Sequence, residues 1–272
     1  MMKKINDIIG DAKTIGIAGH VRPDGDCMGS CMSLYNYLKK NRPDLDVRVF
    51  LEFVDKKFNI IENTDQIITT GYDGTKCDLF ISLDTASLDR LGLNLPFYEN
   101  AKRTACIDHH ASNDGYADYN YILPKASSAS EVLYDLLDED LIDKSIAEPM
   151  YMGIAHDSGV FRFQSTTPKT MRIAANMIEK GVNVNMILEE TFFRKTYNQM
   201  MVTAKIQSEA VLALDGKCIY GYCTSEMMEE YGVTTKDLDA VVASIRNVDG
   251  VEVAMFLYQL SEDSYKVSLR SK

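Results

Sequence analysis

Two histidines stand side by side in Ile107-Asp108-His109-His110-Ala111-Ser112-Asn113, in a chain that has only four. A third, His20, opens His20-Val21-Arg22-Pro23-Asp24-Gly25-Asp26, and the fourth, His156, precedes Asp157. Imidazoles that recur beside carboxylates in a histidine-poor chain point to a metal site. Carboxylate oxygen and imidazole nitrogen without thiolate suit Mn²⁺, with Mg²⁺, Co²⁺ or Fe²⁺ as alternatives, and not a sulfur-rich zinc site. There are more carboxylates than one ion needs, which suggests two. A metal pair about 4 Å apart lowers the pKa of a bridging water and clamps both oxygens of an in-line displacement at phosphorus.

The motifs differ in weight. A loop between a strand and a helix can turn His20, Asp24 and Asp26 inward, with Gly25 permitting a tight turn. Gly29 and Ser30 fall near the next helix start, where free backbone N–H groups favour an anion such as phosphate. Taken alone, Asp24 and Asp26 read equally well as loop and capping residues. Asp84-Thr85 alone reads as a turn, and Asp157-Ser158-Gly159 as a helix end. Adjacent histidines after a buried strand are different, because every ring nitrogen in a core needs a partner. His156 itself reads as a structural residue of its helix.

The segments that must position these residues alternate between strand and helix. Ile5 to Ile9 reads as a short helix, Thr14 to Gly19 as a buried strand, Met28 to Lys40 as a helix and Asp46 to Phe50 as a strand. Asp78 to Asp84 and Arg103 to Ile107 are further strands. Ser128 opens a helix, with Glu131 three residues on as in a capping box. Ile146 to His156 is a helix, and Pro168 starts another that runs to Gly181. This order implies an α/β fold with a mainly parallel sheet over 1–190. His20, Asp84 and His109 each follow a strand end, where ligands of open α/β sheets sit. Thr196 to Leu214 reads as one long connecting helix (191–214). Lys217 to Cys223, Val251 to Leu260 and Tyr265 to Leu269 read as strands of a smaller C-terminal α/β domain (215–272), the last two joined by a hairpin turn at 261–264.

Composition narrows the class. The chain of 272 residues is 46% hydrophobic and 25% charged, as a globular protein is. Its net charge of −11 argues against a DNA-coating protein, which would be basic. No run of about 18 apolar residues suggests a membrane span. The N-terminal Met1 to Asp7 reads as a helix start and not as a signal peptide. Six cysteines without a CxxC pair read as reduced, buried thiols of a cytoplasmic protein.

Taken together, His20 to Ser30, Asp84-Thr85-Ala86-Ser87, Asp108 to Asn113 and His156-Asp157-Ser158-Gly159 resemble the motifs of the DHH phosphoesterase superfamily, over nearly the whole chain. The resemblance is greatest to the nano-RNase type, oligoribonucleases that also remove the 3'-phosphate of 3'-phosphoadenosine 5'-phosphate. It implies a DHH domain and a smaller associated domain across a cleft. It implies two metal ions, His20 and Asp24 holding one, Asp26, His109 and Asp157 the other, and Asp84 bridging both. His110 would contact the scissile phosphate, so that Asp84 and His110 form the catalytic pair. Asn113, Arg90 and Arg270 would bind substrate, and Asp108 would orient an imidazole. Arg90 on its own reads equally as one half of a surface ion pair. The implied substrates are short RNA, linear dinucleotides and 3'-phosphoadenosine 5'-phosphate, and a homodimer is compatible with the resemblance.

One departure stands out. The family's second domain continues into a GGGH-type loop after a strand resembling Tyr265 to Arg270, and no such string occurs here. The expectation is a second domain cut short, with Arg270 at a frayed end. The alternatives are a cyclic-dinucleotide phosphodiesterase, whose stand-alone members sequence separates poorly, and a nucleotide-binding protein with weak catalysis, which the missing loop favours. Longer RecJ-type exonucleases, and pyrophosphatases with their basic phosphate clamp, fit less well.

Overall fold

The computed structural model describes residues 4–238 and 241–271; Met1 to Lys3, read above as a helix start, and the terminal Lys272 lie outside the described residues. The chain divides into two compact units, Met1–Phe193 and Arg194–Lys272.

The first unit is built on five strands, β1 (Thr14–Ala18), β2 (Asp46–Phe50), β3 (Leu79–Leu83), β4 (Thr104–Asp108) and β5 (Tyr119–Ile122). All pair in parallel, in the order β2-β1-β3-β4-β5. Its helices are α1 (Ile5–Ile9), α2 (Gly25–Asn41), α3 (Leu95–Glu99), α4 (Ala129–Leu136), α5 (Lys144–Asp157), α6 (Pro168–Glu179) and α7 (Val184–Leu188). Alternate strand residues face opposite sides of the sheet. Ile15, Ile17, Val47, Val49, Ile81 and Ile107 join the core formed with α2, α4 and α5. Ala18, Phe50 and Phe80 pack instead with Leu91 and Phe97. Covering both faces is what a parallel sheet requires. The strand order reverses between β1 and β3, so the crevice for a ligand opens at their carboxyl ends. His20 and Asp84 emerge there.

Helix α2 is buried from Gly25 to Leu38. It touches α5 through backbone: a Cβ on Gly29 would lie 2.4 Å from the Pro149 carbonyl oxygen and 2.8 Å from the Gly153 nitrogen. Pro149 stands inside α5, where it cannot bond the carbonyl four residues back. That carbonyl, on Ser145, accepts instead from Asn36 Nδ2 of α2 at 2.9 Å. The side chain of one helix thus repairs the ladder of the other. Ser128 caps α4, its Oγ accepting from Glu131 N at 3.0 Å. The reciprocal half of the capping box is absent, because the Glu131 carboxylate accepts from the Ser127 and Thr170 hydroxyls, at 2.7 Å each.

The second unit has four strands, β6 (Val211–Ala213), β7 (Cys218–Cys223), β8 (Val253–Ser261) and β9 (Ser264–Ser271), in sequential order. Its helices are α8 (Tyr197–Glu209), α9 (Ser225–Tyr231) and α10 (Val241–Arg246), with a core around Val202, Ile245 and Phe256. The long connecting helix expected through Leu214 is not formed. Helix α8 ends at Glu209, and the next residues pair antiparallel with β7. Leu214, Asp215 and Gly216 all take positive φ, making the hairpin turn that the Asp-Gly dipeptide signals. The fold is therefore α/β, a mainly parallel sheet followed by a smaller mixed-sheet unit.

Candidate metal centre

Four separate stretches deliver the implicated side chains. His20 lies two residues past β1 and Asp84 directly past β3. Asp24 is the N-cap of α2, with Asp26 in its first turn. His109 follows β4, and Asp157 is the last residue of α5. The structure brings these six together. Ligand atoms of His20, Asp24 and Asp84 lie within 4.8 Å of one another, as do those of Asp26, His109 and Asp157, and those of Asp84, His109 and His110.

Each side chain is held by a specific contact. The Asp24 Oδ1 accepts from the backbone nitrogens of Asp26 and Cys27, at 3.0 and 3.1 Å. These capping bonds occupy the first turn of α2, and Gly29 and Ser30 are fully buried beyond it, so the anion site read from their position is not there. Gly25 likewise has another purpose than a tight turn. A Cβ there would come within 2.1 Å of the His156 ring. Asp26 is buried with its oxygens on the start of α4, accepting from Ala129 N at 2.5 Å and Ser130 N at 3.0 Å. The His20 Nδ1–H donates to its neighbour's carbonyl, Val21 O, at 2.7 Å, which leaves Nε2 facing Asp84 Oδ2 at 3.4 Å and Asp24 Oδ2 at 3.7 Å. His109 Nε2 lies 3.0 Å from Asp157 Oδ2 and 3.5 Å from Asp84 Oδ1.

Two atoms at the centre are buried without a hydrogen bond of good geometry among the described residues, Asp84 Oδ1 and His109 Nε2, although His109 Nε2 lies 3.0 Å from Asp157 Oδ2. Buried polar groups of this kind are costly unless something else satisfies them. The charges point the same way. Burial opposes charge on His20, yet Cys27 and the carboxylates of Asp24 and Asp84 override it and push the imidazole up to about 12. On His109 burial is likewise overridden by Asp157 and Asp84, which push it up to about 11. Asp26 is pushed well above the usual carboxylate range by burial and then by the charges of Asp84 and Asp157. Asp157 is raised by burial and Asp84, against the pull of His109. Four carboxylates thus compete for positive charge that two imidazoles supply only by staying protonated. A donor set of this kind, with two unsatisfied atoms inside it, fits divalent cations.

His110 lies at the edge of this cluster, its Nδ1 3.7 Å from Asp84 Oδ1. Its Nδ1–H donates to the buried Asp108 Oδ1 at 2.8 Å, and its side chain is 38% exposed. That bond to Asp108 raises its pKa despite the opposing effect of partial burial. Asp108 accepts from Asn113 Nδ2 at 2.7 Å through its other oxygen. Asn113 departs from expectation. Its amide donates to Thr85 O and Asp108, its oxygen accepts from Gly115 N, and it is buried. No donor is left for a phosphate; Asn113 ties the turn after β4 to the turn after β3. Arg90 is exposed with no ion pair among the described residues, so the surface-pair reading does not apply, and its carbonyl accepts from Val21 N at 2.7 Å beside the His20 turn. Arg270 is exposed on β9 of the second unit, its guanidinium donating to the Leu269 carbonyl. Five cysteines are buried, Cys218 is half-buried, and all are free.

Sequence reasoning missed two supports. The N-terminus of α4 was legible as a helix start, but nothing in the sequence says which carboxylate it would receive. The other is Thr191, whose Oγ1 lies 2.9 Å from His156 Nε2; it sits in a short π-helical turn, Glu189–Phe193, that no periodicity announces. Strained backbone also clusters here. Arg22 and Asp84 take φ of 55° and 51°, and Val160 and Phe161, shortly past Asp157, take 56° and 62°. Such outliers concentrate at functional sites.

Residues 14–154 match the model of the DHH family, N-terminal domain. The chain is 26% identical to the bifunctional oligoribonuclease and PAP phosphatase NrnA of Bacillus subtilis, over 95% of this chain and 82% of that protein. It is 31% identical to the NrnA of Thermus thermophilus, over 95% of this chain and 76% of that one. Among solved structures, an exopolyphosphatase-related protein from Bacteroides fragilis superposes with a TM-score of 0.89, at 22% identity, over 98% of this chain and 82% of that one.

Proposed function

Because the chain belongs to the DHH family, we propose that it is a two-metal phosphoesterase. Its substrates are short oligoribonucleotides or linear dinucleotides, cleaved to 5'-mononucleotides, and 3'-phosphoadenosine 5'-phosphate, converted to AMP. The observation that carries this reading is the convergence of His20, Asp24, Asp26, Asp84, His109 and Asp157 around two buried, unsatisfied ligand atoms. The bifunctional oligoribonuclease and phosphatase activity of the Bacillus and Thermus relatives supports the substrate class.

In this reading His20 and Asp24 hold one cation, Asp26, His109 and Asp157 hold the other, and Asp84 serves both. Manganese suits the oxygen and nitrogen donors. When bound, the cations supply Lewis acidity, neutralising phosphoryl charge and making a water nucleophilic at neutral pH. The protein's own groups do the rest. The α4 N-terminus fixes the Asp26 carboxylate and the Val21 carbonyl fixes the His20 tautomer, so neither ligand reorients when substrate arrives. Asp108 holds the His110 Nδ1–H, which turns Nε2 outward to meet a phosphate oxygen and the charge it gains. Arg90, exposed in the turn after β3 and hydrogen-bonded through its carbonyl to the His20 turn, is one proposed substrate cation, and Arg270 is the second. A protein this acidic handles nucleic acid because a short substrate needs few phosphate contacts.

The test is hydrolysis of pApA, 3'-phosphoadenosine 5'-phosphate, cyclic di-AMP and pyrophosphate, side by side, with Mn²⁺ and with chelator, including an Asp84→Ala variant. Mn²⁺-dependent release of AMP from the first two, absent in the variant, is the expected result. Turnover of cyclic di-AMP alone would make the protein a cyclic-dinucleotide phosphodiesterase. Binding of the nucleotides without turnover of any would make it a nucleotide-binding protein.

A further inference from the structure

His156 is held on several sides. Its ring rests on the backbone of Gly25, so closely that a Cβ there would come within 2.1 Å of the imidazole Cγ. The Phe58 and Phe192 rings flank it, with centroids at 6.0 and 5.3 Å. The Thr191 hydroxyl donates to Ile187 O at 2.7 Å, so its oxygen can only accept from His156, and the 2.9 Å contact is an Nε2–H donated to Thr191 Oγ1. This fixes both the tautomer and the rotation of the ring. The fixed ring stands at a junction. It precedes Asp157 in the chain, and it presses on the one residue between Asp24 and Asp26. These carboxylates belong to both proposed ligand sets.

We propose that His156 is a positioning residue, which uses its hydrogen bond to Thr191 to set the spacing of Asp24, Asp26 and Asp157 for metal. A ring that only filled space would need no polar atom and no dedicated acceptor. The π-helical turn Glu189–Phe193 supplies that acceptor by carrying the Thr191 oxygen to the ring, and π-turns recur where a side chain must be placed for function. The inference rests on the two-metal reading.

The experiment measures Mn²⁺ affinity by electron paramagnetic resonance of the free ion, alongside the melting temperature, for wild type, Thr191→Val, His156→Leu and His156→Gln. Thr191→Val keeps the volume and removes the acceptor. His156→Gln keeps an N–H donor at similar reach. The expected result is Mn²⁺ binding weakened about tenfold in Thr191→Val and His156→Leu, with His156→Gln close to wild type. Lower melting temperatures with unchanged Mn²⁺ affinity would reduce His156 to packing and overturn the proposal. Equal weakening in His156→Gln and His156→Leu would overturn the role of the hydrogen bond. A wild type that does not bind Mn²⁺ would instead remove the two-metal reading, and this inference with it.

Discussion

Individual residues were legible here to the extent that their chemistry is costly elsewhere. Paired histidines have no cheap place in a core, so His109 and His110 stood out by type alone. Asp24, Asp26, Asp84 and Asp157 each read equally or better as turn or cap residues, and joined a ligand set only through the family resemblance. Asn113 could not be read from type, because an amide serves equally well as a ligand to phosphate or as a tie between loops. Only its bonds to Thr85 and Asp108 decide between them. Asp84 combines a left-handed φ with a buried carboxyl group among three others. Asparagine tolerates that backbone better than most residues. Asp84→Asn is therefore expected to raise the stability of the metal-free protein by about 1 kcal/mol, as relieved functional strain commonly does, while abolishing hydrolysis. Melting in chelator and an AMP-release assay read the two effects. Asp78 gives a pH dependence away from the centre. Its carboxylate is held well below the usual range by Lys102 and by the backbone nitrogens of Lys13 and Thr14. A depressed folded pKa stabilises above the unfolded value and loses that contribution as pH falls through the folded one. Asp78→Asn is expected to cost about 1 kcal/mol near neutrality, with the gap to wild type closing as pH drops below about 4. Urea midpoints across that range read it.

At the scale of elements, the apolar run Ala210 to Leu214 fits helix and strand alike. Pairing with β7 decided for strand, and Asp215-Gly216 was the local clue that outweighed the periodicity. Strand β5 went unread for a related reason: Tyr119 to Ile122 is short, edge-placed and only half-buried, so it lacks the continuous apolar run of its neighbours. The contact between α2 and α5 is invisible in sequence, since glycine marks many things besides close approach. Here it is what brings the first turn of α2 toward the end of α5. Gly29→Ala would drive a methyl into backbone that cannot yield, and is expected to cost about 3 kcal/mol, read as a lowered urea midpoint, together with weakened Mn²⁺ binding as the two helices part.

For the whole molecule, alternation of strand and helix was enough to place the ligands at the carboxyl edge of a sheet, because parallel strands put all their ends on one side. The order of the strands was not, and it is the reversal between β1 and β3 that opens the crevice. Cations that bind the folded centre and not the unfolded chain must stabilise the fold by mass action. Saturation at 100 times the dissociation constant is expected to contribute about 2.7 kcal/mol. Removal of metal by chelator should lower the melting temperature, and the drop should vanish in Asp84→Ala. The division of the chain has a further consequence. Every side chain assigned to metal falls between His20 and Asp157, inside the unit that ends at Phe193. All six proposed ligands are thus contained in one uninterrupted block, so that exchange or redesign of the unit beyond Phe193 leaves the proposed ligand set whole.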